Sequence, residues 1–152
     1  MLECPNVFSL FLPDGWSVTG EHGKFYEIIP PGGGGALHIS VYQRLDAPIT
    51  KAEARDRMSR FLGNLTVVET GEIVVLAEGD AQHRAVSKSR TLDPENGKEF
   101  GFLTFLVLWK SHVLNCSCTA EPESALLDEA EHLFASIAPI TPFQKRGLRR
   151  RR

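Results

Sequence analysis

Residues 98–110 read KEFGFLTFLVLWK, and within them Gly101 to Trp109 form the run GFLTFLVLW. In an extended chain successive side chains point to opposite faces. Leu103, Phe105, Val107 and Trp109 then lie on one face, and Phe102, Thr104, Leu106 and Leu108 on the other. Both faces are apolar. A strand of this kind is central in its sheet and covered above and below. The run therefore predicts a sheet with a layer on each side.

Its neighbours extend the sheet. Asp93-Pro94-Glu95-Asn96-Gly97 precedes it, and Asn-Gly is a strong hairpin signal. Gln82 to Leu92 is the partner strand, long and largely polar. His112 to Thr119 follows after a short turn at Ser111, and Glu72 to Glu78 is a further strand candidate. Upstream, Val7 to Leu12 alternates until Pro13-Asp14-Gly15 stops it with turn chemistry. Trp16 to Thr19 resumes as a strand, a turn spans Gly20 to Gly23, and Lys24 to Ile29 and Ala36 to Gln43 are two more.

Two segments change period. In 50–63, TKAEARDRMSRFLG, the residues Ala54, Met58, Phe61, Leu62 and Leu65 fall at helical spacing. Thr50 with Glu53 fits a capping box, and Gly63 a stop. In 122–137, PESALLDEAEHLFASI, the stripe is Leu126, Leu127, Ala130, Leu133, Phe134 and Ile137, with Pro122 suited to the first turn. Four strands, a helix, four strands and a helix make an α+β fold. We expect an antiparallel sheet of about seven or eight strands, with the two helices packed on it.

Length and charge set bounds. A chain of 152 residues is read as one domain, 1–143, followed by a disordered basic tail, 144–152. No apolar run approaches the ~20 residues of a membrane-spanning helix. The opening MLECPNVFSLFL lacks a basic n-region, so a cytoplasmic protein is expected. The tail holds six of the 17 Lys and Arg residues and no acid. The remaining 11 face 19 acidic residues, giving the body a charge near −8. Such a body repels nucleic acid. The tail, Lys145, Arg146, Arg149, Arg150, Arg151 and Arg152, would attract polyanions weakly and without base stacking.

Four glycines, Gly32 to Gly35, follow Pro30-Pro31. A phosphate-cradling loop needs a Lys-Ser/Thr pair and a helix after it. Here a strand follows, so the run joins two strands. Cys4, Cys116 and Cys118 are an odd set without knuckle spacing. His112, Leu114, Cys116 and Cys118 share one strand face, where Leu114 points to a packed core. A metal- or thiol-dependent activity at His112, Cys116 and Cys118, completed by Cys4, is the alternative reading. His22, His38, His83, His112 and His132 show no catalytic or metal spacing. His38 shares a face with Ser40 and Tyr42, and no nucleophile elbow accompanies them.

Phe11-Leu12-Pro13-Asp14-Gly15-Trp16 resembles the Leu-Pro-x-Gly-Trp opening of the PsbP-like superfamily. The closing helix with its Phe134-Ala135-Ser136-Ile137 ending is similar to that family's as well. The resemblance implies an α/β/α sandwich and a role in binding another protein. Members include an extrinsic photosystem subunit, a Ran-binding import factor and chaperones of secreted effectors. It transfers no functional residue, and without a transit segment the photosynthetic branch is not expected. We therefore expect a non-enzymatic protein-binding module, an adaptor, chaperone or immunity-type factor. It would need no cofactor, bind an unidentified protein or a second copy of itself, and work through Trp16, His38, Tyr42 and the Gly32–Gly35 loop.

Overall fold

The computed structural model describes residues 1–44, 48–63, 67–78 and 82–140. In chain order the elements are β1 (Leu2–Cys4), β2 (Phe8–Leu10), β3 (Ser17–Glu21), β4 (Phe25–Ile29), β5 (Gly35–Gln43), α1 (Lys51–Gly63), β6 (Val67–Thr70), β7 (Val74–Glu78), β8 (Gln82–Leu92), β9 (Glu99–Trp109), β10 (His112–Ala120), α2 (Ala125–Ala135) and β11 (Ala138–Pro139). The large sheet is antiparallel and runs β3-β4-β5-β10-β9-β8-β6, with β7 also pairing β8. It consists of two meanders, β3-β4-β5 and β8-β9-β10, joined along β5 and β10. A small sheet, β1-β2-β11, lies apart from it.

The expected α+β architecture is present, with β9 deep inside the sheet and a helix on each face. Leu103, Phe105, Val107 and Trp109 meet Leu126, Ala130, Leu133 and Phe134 of α2, together with Leu114, Cys116 and Cys118 of β10. Phe8, Leu10 and Cys4 of the small sheet complete that core. On the other face Leu106 and Leu108 pack with Ala54, Met58 and Leu62 of α1, Ala85 and Val113. Phe61 is only half-buried and stacks on Phe102, ring centroids 6.4 Å apart.

Several local expectations are corrected. Leu2–Cys4 and Ala138–Pro139 are strands too short to show a period, and Val67–Thr70 lies before the candidate at 72–78, so the order differs from four-helix-four-helix. Strand β2 covers only Phe8–Leu10 of the alternating run. Gly20 belongs to β3, opposite Tyr26, and the turn begins after Glu21. Pro122 precedes α2, whose N-cap is Ser124: its hydroxyl accepts from the Leu126 N–H at 3.2 Å. Half of the α1 capping box forms. Thr50 Oγ1 accepts from the Glu53 N–H at 3.1 Å, but the Glu53 carboxylate turns to Arg44 and Arg57 instead. Leu65 and the tail from residue 141 lie outside the described residues.

Arg44 fixes the approach to α1. Its Nε and Nη2 donate to the two Glu53 carboxylate oxygens at 2.7 and 2.5 Å, Nη1 donates to the Lys110 carbonyl, and Nη2 also donates to that of Pro48. These bonds hold the Glu53 carboxyl well below the usual range, at about 2, with Arg57 adding to the effect. Arg84 performs the matching task for α2. It is 6% exposed and donates to the carbonyls of Ala135 (3.0 Å) and Ile137 (2.7 Å). It thus serves groups that a helix end leaves without intrahelical donors.

The glycine run has a steric cause. Gly33, Gly34 and Gly35 all have positive φ, at 68°, 86° and 154°. A Cβ on Gly35 would strike the Thr119 carbonyl oxygen and come within 2.8 Å of Leu126 Cδ2. The hairpin therefore needs left-handed backbone beyond its tip, at the point where β5 slides under α2.

Candidate functional site

Two surfaces carry side chains that packing alone does not explain. The first is a groove of about 430 Å³ between α2 and the segment leading from β2 into β3. Its walls are Phe11, Pro13 and Trp16 on one side and Glu129, His132, Leu133 and Ser136 on the other. Glu129, His132 and Leu133 of α2 and its C-cap Ser136 are spaced at three, four and seven residues, so they line one helix face. Trp16 is half-buried and rests on the α2-side core, held there by the turn whose Gly15 has φ 89°. Phe11 follows two core residues, Phe8 and Leu10, but is itself 59% exposed. The groove is therefore an apolar cleft edged by one carboxylate and one imidazole.

The second surface is the open half of the large sheet on the side of α1. That helix packs on β7, β8 and β9, and beyond it, among the described residues, Phe25, Glu27, His38 and Tyr42 of β4 and β5 remain accessible. The registers place Thr19 opposite Glu27, Glu27 opposite His38, His38 opposite Ser117, Ser117 opposite Thr104, and Thr104 opposite Ser87. A single polar row thus crosses six strands. Its β8–β9 end is sealed: Thr104 Oγ1 donates to the Ser87 carbonyl and Ser87 Oγ to that of Gly71, each at 3.1 Å. Its other end is accessible. His38 Nε2 and Glu27 Oε2 are hydrogen-bonded at 3.0 Å, with side chains 46% and 43% exposed. Phe25 and Tyr42 stand on the same face, both exposed.

The structure thus separates the residues singled out in the sequence. His38 and Tyr42 share the open face, while Trp16 lies in the groove on the opposite side. The Gly32–Gly34 loop is exposed. Phe11 and Glu27 were not candidates in the sequence. Centring the β4–β5 hairpin between Gly32 and Gly33 pairs Glu27 with His38, so that signal was present. Ser117 enters through the β5–β10 pairing, which no local pattern announces. The basic residues Lys145, Arg146, Arg149, Arg150, Arg151 and Arg152 lie outside the described residues.

The thiols occupy the core. Cys4, Cys116 and Cys118 are free and buried. Burial pushes the Cys118 thiol up to about 12 and raises that of Cys116 as well. His112 tilts over Trp109, ring centroids 5.7 Å apart, and shares a 2.8 Å hydrogen bond with Ser111. Among the described residues no group of three or more His, Cys, Asp or Glu side chains could hold a metal ion. No described helix is long and apolar enough to cross a membrane. A further cavity of about 320 Å³ at the start of α2 is lined by Lys88 and Arg90, which are already within 4.0 Å of Asp128, Glu131 or Glu123.

No protein-family model and no curated protein matches this sequence. Solved structures do share its fold. A protein of Bacteroides thetaiotaomicron VPI-5482 superposes with a TM-score of 0.63 at 15% identity, over 89% of this chain and 46% of its own. The chain therefore spans less than half of that protein. LpqN of Mycobacterium tuberculosis, described as involved in cell envelope biogenesis, superposes with a TM-score of 0.58 at 15% identity, over 88% and 83%. At such identity the likeness concerns the fold alone.

Proposed function

We propose that this protein is a non-enzymatic binding module that docks another protein through the Phe11–Trp16 groove. The observation that carries the reading is Phe11. An exposed aromatic ring beside a half-buried tryptophan and a helix face has the anatomy of an interface anchor pocket. Its partner is a segment presenting a bulky apolar side chain to Trp16 and Leu133. A basic neighbour on that segment would suit Glu129 and the net charge near −8 of residues 1–143. The PsbP-like resemblance supports the same role. Cys116 and Cys118, buried and with raised proton affinity, speak against the thiol-dependent alternative, because the thiolate is the reactive form.

The test is a native pull-down with three proteins: wild type, Phe11→Ser and Tyr42→Ala. A stoichiometric partner held by wild type and Tyr42→Ala but lost from Phe11→Ser is the expected result. Photo-crosslinking from position 11 should then map to an apolar residue of that partner. Retention of the same partner by Phe11→Ser, or recovery of no stoichiometric partner, would overturn the proposal.

A further inference from the structure

We propose that the open half of the large sheet binds a neutral sugar chain, laid along the row Thr19–Glu27–His38–Ser117. This site is independent of the groove and lies on the other side of the molecule.

The composition of the four strands selects the ligand. SVTGE, FYEII, GALHISVYQ and HVLNCSCTA contain no lysine and no arginine. Among the described residues the cation at the rim of this face is Lys24, already paired with Glu21 at 3.0 Å. A phosphate, a nucleic acid or an anionic lipid would therefore find no uncompensated Lys or Arg within these strands, and Glu21 and Glu27 would repel it. What the face offers is uncharged hydrogen-bonding capacity. Ser17, Thr19, Ser40, Asn115, Ser117 and Thr119 share the side of the sheet that bears Glu27 and His38, as the cross-strand registers require. A hydroxyl both donates and accepts, so this mixture suits a ligand whose groups also do both.

The aromatic residues supply the second half of the recognition. Phe25 is directly opposite Ser40, and Tyr42 lies two residues further along the same strand. The two rings are therefore diagonal neighbours, about 7–8 Å apart at the backbone. They are 46% and 51% exposed. Sugar rings have apolar C–H faces and polar edges, a combination that aromatic surfaces with adjacent hydrogen-bonding groups accommodate. The row from Thr19 to Ser117 spans four strands, or about 14 Å at the usual inter-strand spacing. That length fits an oligosaccharide, whereas a single sugar would occupy only part of it. Glu27 and His38 already orient one another at 3.0 Å. The carboxylate and imidazole are thus held in place before any ligand arrives, which reduces the ordering cost of binding.

The experiment is a titration of the isotopically labelled full chain with cellohexaose, chitohexaose and maltoheptaose, followed by amide chemical shifts. Inorganic phosphate serves as the anion probe. At least one sugar should bind with Kd near or below about 1 mM, moving amides of 25–29, 36–42 and 115–119. Tyr42→Ala and Glu27→Gln should each weaken it by about tenfold, while Phe11→Ser leaves it unchanged. The proposal is overturned if none of the three sugars shifts these amides, if phosphate shifts them instead, or if Tyr42→Ala binds as wild type does. Loss of sugar binding in Phe11→Ser would also overturn it, since the groove would then be the site. The first three outcomes leave the pull-down test of that groove untouched.

Discussion

Arg84 illustrates how one residue can seat a whole element. Its guanidinium, 6% exposed, donates to carbonyls at the end of α2 and just beyond it. Arg84→Met keeps much of the volume and removes the donors, leaving those carbonyls buried. We expect it to cost about 2–4 kcal/mol in urea unfolding. Gly35→Ala should also destabilise, by about 1–3 kcal/mol, because the new methyl meets the Thr119 carbonyl in a backbone region that disfavours it. Glu53 gives a pH-dependent case. Its carboxyl titrates lower in the folded protein, at about 2, than the ordinary ~4.3 of an unfolded chain. A lowered folded value contributes stability fully above the unfolded pKa, and that contribution is lost as pH falls through the folded one. The stability advantage of wild type over Glu53→Gln should therefore be at most about 2–3 kcal/mol at neutral pH and vanish towards pH 2. An advantage that persisted at the acid end would rule out the Arg44–Glu53 clamp as its source.

At the scale of elements, legibility followed length. Strands β8, β9 and β10 were readable within a residue or so, because runs of nine to eleven residues bounded by turn signals leave little freedom. The stretches Leu2–Cys4 and Ala138–Pro139 were not, since they become strands only by pairing with β2. Gly20 misled for a related reason. Glycine is a turn signal, yet here it is used inside β3, where a Cβ would collide with the Phe25 carbonyl. The helices were found by period, but their starts were decided by competition among caps: Ser124 prevailed over Pro122, and Arg44 drew Glu53 away from Thr50. The face each helix covers has a testable corollary. Met58 is 1% exposed beneath α1, and Met58→Ala should cost about 2–5 kcal/mol. The same substitution at Tyr42, on the uncovered part of the sheet, should cost little stability, as thermal unfolding would show.

Across the whole molecule, the candidate surfaces arise from pairings between distant segments. Glu27 and His38 belong to one hairpin and could be matched by symmetry. Ser117 reaches them only because β10 lies beside β5, and the groove exists only because α2 returns to the Phe11–Trp16 segment. Neither relation leaves a periodic trace. The thiols provide a global probe, since Cys4, Cys116 and Cys118 are each no more than 3% exposed. A thiol reagent should label none of them in the native state, and labelling should follow the cooperative unfolding transition. Fast labelling of Cys116 or Cys118 in the native protein would reopen the thiol-dependent reading.

The nine-pair ladder between Gly35–Gln43 and His112–Ala120 also constrains biogenesis. A ribosome adding ~5–20 residues per second needs roughly 3–14 s to make the intervening stretch. During that interval one flank of the nascent β5 has no partner, although β4 can already close on it. The later meander can form quickly from neighbouring segments, and its docking onto the earlier one is then the slow event. Ile39→Ala, within this ladder, should retard refolding in a chevron experiment, whereas Thr19→Ala at the far edge should chiefly hasten unfolding.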